Sequence, residues 1–140
     1  MKQLITDFTN QLSKAIVIGN AYEPSDWSAN ISNVLISGLG GSGIGGTIAA
    51  EVVASEAHVP ILTNNGYFIP NFVSINTLFL ACSYSGNTEE TVSAATLAHQ
   101  EGAKVVVISS GGKLKEMASK NGWDFIGIPG GQPPRASFGL

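Results

Sequence analysis

Five short apolar runs alternate with helix-length stretches along this chain, and that alternation limits the fold more than any other feature. The runs are "NVLISGL", "VPILTNN", "TLFLACS", "AKVVVISS" and "WDFIGIP". Between them lie "SGIGGTIAAEVVASEA", the loop "GYFIPNFVSIN", "NTEETVSAATLAHQEG" and "GKLKEMASKNG". Runs with consecutive apolar positions are buried on both faces. Strands of that kind alternating with helices form a parallel sheet covered on each side. The expected fold class is therefore α/β: a three-layer, doubly wound, five-stranded parallel sheet in the flavodoxin-like order 2-1-3-4-5. Before the first strand, Leu4, Ile5, Phe8, Leu12, Ala15 and Ile16 recur at helical spacing and predict an amphipathic helix. Gly102 is placed to cap the helix that precedes it.

The 140 residues make one domain, 1–140, by size. Charged residues are 12% of the chain, about half the share in an ordinary globular domain. So little charge implies apolar surface that a partner covers. The net charge is −3, and Arg135 is the only arginine. No basic stripe is present to track a nucleic-acid backbone, and no polybasic segment to meet an anionic membrane. The N-terminus lacks a continuous apolar signal region, and no apolar run approaches the ~20 residues needed to span a bilayer. The lone cysteine, Cys82, sits in an apolar run. A buried thiol in a chain with no possible internal disulfide suits a reducing, cytoplasmic setting.

Two loops carry the chemistry. "GLGGSGIGG" follows the first strand and "SYSGNTEET" the third. In the order 2-1-3-4-5 those strands are neighbours from which the chain departs in opposite directions. Open α/β sheets bind ligands in the crevice at that point. Glycines let backbone N–H groups approach an anion, and each loop opens a helix whose free N–H groups favour negative charge. Ser42, Ser83, Ser85 and Thr88 add hydroxyl donors. Together they form a candidate phosphate site that needs no lysine.

Other readings compete. Asn87 and Glu90 are spaced much like a capping box, and Ser85 or Ser42 is also placed to cap a helix. "GLGGSG" fits the dinucleotide fingerprint, but the place of its acidic residue holds Thr63, Asn64 and Asn65. "SYSGNTEE" is similar to the FMN phosphate loop of flavodoxins, which follows the first strand rather than the third. Arg135, beyond the fifth strand, is a solvated tail residue on composition alone.

Taken together and in order, "GLGGSGIGG", "SYSGNTEET" and "GGQPPRASFG" resemble the sugar isomerase (SIS) domain, and more closely the first such domain of the bifunctional phosphoglucose/phosphomannose isomerases. The resemblance implies that Ser83, Ser85 and Thr88 hold a sugar phosphate and that Gly41 and Ser42 lie against the sugar and phosphate. It implies that Arg135 stabilises the enediolate of an aldose–ketose isomerisation. It further implies a homodimer of chains with two SIS domains, whose glutamate, histidine and lysine of catalysis lie beyond Leu140. His58 and His99 match none of those positions. This chain is then expected to be the N-terminal domain of a longer enzyme, inactive alone, with no metal and no cofactor. A non-catalytic sugar-phosphate sensor is the alternative from another class, and a flavodoxin-like FMN protein is a third reading.

Overall fold

The computed structural model describes residue 3 and residues 6–25 and 30–133. The elements are α1 (Phe8–Ala21), β1 (Asn33–Ser37), α2 (Gly40–Val53), β2 (Ile61–Asn64), β3 (Thr77–Cys82), α3 (Glu89–Gln100), β4 (Lys104–Ser109), α4 (Gly112–Asn121) and β5 (Asp124–Gly127). The five strands form one sheet ordered β2-β1-β3-β4-β5, and every pairing is parallel. The expected class and strand order are both found. Gly102 adopts a left-handed φ of +80° and caps α3, its N–H donating to His99 O at 3.0 Å and that of Ala103 to Ala98 O at 3.0 Å.

Register divides the sheet into two faces. Leu35, Phe79 and Val105 are mutual partners on one, and Ile36, Leu80 and Val106 on the other. The first face meets α3 and α4 and forms the main core, with Leu35, Phe79, Ala81 and Val107 fully buried against Ala94, Ala95, Ala98 and Leu114. Small alanines on α3 let the helix lie close to the strands, so the large side chains come from the sheet. The second face is shared by α2 and α1. Gly46 of α2 packs directly on β1, where a Cβ would stand 2.7 Å from Ile36 Cγ2.

The second face is less well covered. Residues Leu12 and Ile16 of the predicted amphipathic stripe are 41% and 63% exposed, and the buried residue of α1 is instead Gln11. Leu4 and Ile5 lie outside the described residues. Ile44, Ile48 and Val52 form an i, i+4, i+8 row along the outer side of α2 and are all exposed. The segment after α1 is tied to the opposite sheet edge. The Tyr22 hydroxyl and the Ser25 N–H both donate to Asp124 Oδ2.

Candidate functional site

The carboxyl ends of β1 and β3 lie side by side, Ser37 opposite Ala81, so the two distinctive loops meet at one crevice. A cavity of about 480 Å³ opens there, within the usual range for small-molecule sites. Ile36, Leu80, Cys82 and Ile108 floor it from the sheet. Gly41 and Ser42 line it from the first turn of α2, and Ser83, Ser85 and Thr88 from the loop after β3. Five residues singled out in sequence thus share one cavity. Arg135 lies outside the described residues.

The loop after β3 is braced from within. Ser83 is 2% exposed. Its hydroxyl accepts the Gly86 N–H at 3.1 Å and lies 2.8 Å from Thr88 Oγ1. Ser85 is exposed, and its Oγ accepts the Asn87 N–H at 3.2 Å. Gly86 has φ +72°, and a Cβ there would stand 1.9 Å from Gly111 O. Only glycine supplies both the left-handed turn and the closeness to the strand-four loop.

Capping, the competing account of these residues, is not what the structure shows. The N-cap of α3 is Thr88, which makes no side-chain capping bond. Asn87 instead reaches the neighbouring helix, its Oδ1 accepting the Lys113 N–H of α4 at 2.9 Å. The Asn87–Glu90 capping box is therefore absent. Ser42 lies inside the first turn of α2, whose N-cap is Leu39 and also lacks a side-chain bond. Two helix N-termini thus approach one cavity with N–H groups that no side chain caps. Such ends favour an anion.

Glu89 and Glu90 stand in the first turn of α3 but do not line the cavity. The Tyr67 hydroxyl donates to Glu89 at 3.4 Å. Cys82 borders the cavity, yet burial pushes its thiol up to about 12, so at neutral pH it is a protonated apolar wall rather than a nucleophile. His99 is structural, its Nδ1 accepting the indole N–H of Trp123 at 3.1 Å. Among the described residues, no group of three His, Cys, Asp or Glu side chains is placed to hold a metal ion.

Sequence reasoning missed several wall residues. Leu12 and Ala15 of α1, Tyr84 and Ile128 also border the cavity. The apolar stripe of α1 was legible, but nothing in the sequence said that part of it would overhang the ligand crevice.

No protein-family model matches the chain. It is 43% identical over 139 residues to a bifunctional phosphoglucose/phosphomannose isomerase of Caldicellulosiruptor bescii, covering 99% of this chain and 41% of that protein. It is 48% identical over 118 residues to the protein of the same name from Thermoplasma acidophilum, covering 84% of this chain and 36% of that one. The chain therefore spans about two fifths of the length of these curated relatives. A crystal structure from Clostridium difficile 630, assigned as a phosphosugar isomerase, superposes with a TM-score of 0.76 at 17% identity, covering 99% of this chain and 42% of that one. At that identity the likeness speaks for the fold.

Proposed function

Because the chain is an α/β domain of the sugar isomerase (SIS) type, we propose that it is the sugar-phosphate-binding domain of an aldose–ketose isomerase. The enzyme interconverts glucose 6-phosphate or mannose 6-phosphate with fructose 6-phosphate. One observation carries this reading: the uncapped N-termini of α2 and α3 and the hydroxyls of Ser42, Ser83, Ser85 and Thr88 converge on a single cavity. Backbone N–H groups and hydroxyls bind the phosphate. Gly41 lets the sugar approach the start of α2, and the apolar floor shields the carbon chain.

The reaction opens the sugar ring and moves a proton between C1 and C2 through an enediolate. It requires a base and a group to stabilise the developing negative charge. Arg135 is the proposed stabilising cation. The described lining includes no Asp, Glu, His or Lys, so the base comes from elsewhere in the enzyme, and this domain binds substrate without turning it over. The exposed row of Ile44, Ile48 and Val52 supports burial against further protein. We assign that role to a second SIS domain and to a homodimer, in a cytoplasmic enzyme.

The lack of an Asp, Glu, His or Lys in the described lining also favours the second reading, a sugar-phosphate sensor without catalysis. Isomerase assays on the longer protein separate the two. For the site itself, the test is a calorimetric titration with fructose 6-phosphate, with fructose and inorganic phosphate as controls. Binding that requires the phosphate and is lost in Ser85→Ala supports the proposal. A chain that ignores hexose phosphates, both alone and within the longer protein, refutes it.

A further inference from the structure

Tyr84 stands between Ser83 and Ser85 in the loop after β3 and makes bonds at both of its ends. Its backbone carbonyl accepts the Ser110 N–H at 3.0 Å and the Ser110 hydroxyl at 2.6 Å. Its phenol oxygen accepts the Gln132 N–H at 2.9 Å. The first pair fixes the residue to the end of β4. The second takes hold of the chain after β5.

That chain, residues 128–133, starts at the cavity wall. Ile128 lines it and is anchored at its start, its N–H donating to Ser109 O at 3.0 Å. Gly130 passes close to Ser110, where a Cβ would stand 3.3 Å from Ser110 Cβ. At Gln132 the Tyr84 phenol bonds the segment directly. Gln132 is itself exposed, so burial does not hold it in place. The sequence then reaches Arg135 three residues later.

We propose that Tyr84 is a positioning residue: its phenol holds the segment after β5 against the cavity, so that the loop that binds phosphate also sets the wall that meets the sugar. The inference rests on the sugar-phosphate reading above and adds a division of labour to it. Ser85 and Thr88 recognise the phosphate, and Ser83 braces their loop from within. Tyr84 acts on the rest of the ligand through the segment that begins at Ile128 and that it holds at Gln132. Inorganic phosphate, which does not extend to that wall, is indifferent to the phenol, whereas a hexose phosphate is not.

The test is Tyr84→Phe, which keeps the ring and removes the hydroxyl. Both proteins are titrated with inorganic phosphate and with fructose 6-phosphate, and hydrogen exchange is followed at the Gln132 amide. The expected result has three parts. Phosphate affinity stays within about two-fold, fructose 6-phosphate binding weakens roughly three- to ten-fold as for one lost hydrogen bond, and Gln132 exchanges faster. Equal loss for both ligands would make Tyr84 a brace for the phosphate loop and overturn the proposal. So would unchanged fructose 6-phosphate affinity, or unchanged exchange at Gln132. A wild-type chain that binds neither ligand would instead bring down the sugar-phosphate reading, and the role of Tyr84 with it.

Discussion

The hydroxyls of Ser83 and Thr88 lie 2.8 Å apart across the turn at Gly86. The contact joins the residue that follows β3 to the residue that precedes α3, and it closes the loop into a ring. Ser83 spends its hydroxyl inside that ring, where it also accepts the Gly86 N–H. Thr88, half-buried at the helix start, and Ser85, exposed on the lip, keep capacity for a ligand. The loop is therefore shaped before anything binds, which lowers the ordering cost of capturing an anion.

Removing either outer hydroxyl separates binding from stability. Ser85→Ala or Thr88→Ala is expected to weaken fructose 6-phosphate binding by about 1.5–3 kcal/mol, the usual worth of a hydrogen bond to a charged group. The melting temperature should move by only a few degrees. Paired calorimetry and thermal melts decide the matter. A change confined to the melt would leave the loop as no more than the start of a helix.

Asn87 should behave in the opposite way. Its side chain supports α4 through the Lys113 N–H and does not line the cavity. Asn87→Ala is expected to cost about 1 kcal/mol of stability, as loss of a capping side chain does. Hexose-phosphate affinity measured well below the melting transition should stay close to wild type.

Gly86→Ala should damage both properties. The new methyl would have to fit where Gly111 O stands 1.9 Å away, at a φ of +72°. Positive φ disfavours any Cβ, and the clash is with backbone, which has no rotamer to yield. We expect a loss of about 3 kcal/mol or more, together with loss of phosphate binding. A variant that melts like the wild type would show that the two loops are not in contact.

Acid should loosen the tie between the segment after α1 and β5. Burial works against the Asp124 carboxylate, but the Tyr22 hydroxyl, the Ser25 N–H and the charge of Lys104 outweigh it and hold the group below its ordinary value. Tyr22 is held above its ordinary range, first by burial and then by Asp124. A carboxyl lowered in the folded state stabilises above its unfolded value, near 3.9. That contribution is lost as pH falls from there through the folded value. Melting temperature against pH should therefore fall less steeply below about pH 4 in Asp124→Asn than in the wild type. Parallel acid limbs would remove Asp124 from the account.

Arg135→Ala tests the proposed chemistry in the proposed two-domain enzyme. Stabilising groups of this kind are typically worth about 10²–10³ in turnover. We expect kcat to fall on that scale with fructose 6-phosphate affinity largely kept. Loss of affinity with kcat intact would make Arg135 a binding residue only.

The alternation of buried strands with helices settled the layered α/β class from sequence, because continuous apolar runs have one economical solution, a parallel sheet covered on both faces. Glycine-rich loops with hydroxyl residues after the first and third strands marked Ser42, Ser83, Ser85 and Thr88, because close backbone approach and short donors leave a compositional trace, while Gly41 was implied by the family resemblance. Tertiary structure decided what those residues bond to. Asn87 and Glu90 have the spacing of a local cap, yet Asn87 serves α4, brought near by the β3–β4 pairing and 26 positions along the chain. Tyr84 reads as an ordinary aromatic until its phenol meets Gln132, 48 positions away. Periodicity along one helix says which face is apolar but not whether that face meets a core or a crevice, so Leu12 and Ala15 became cavity wall only in three dimensions. Local sequence encodes backbone preference and burial, whereas the partner of a side chain depends on which distant strands lie side by side.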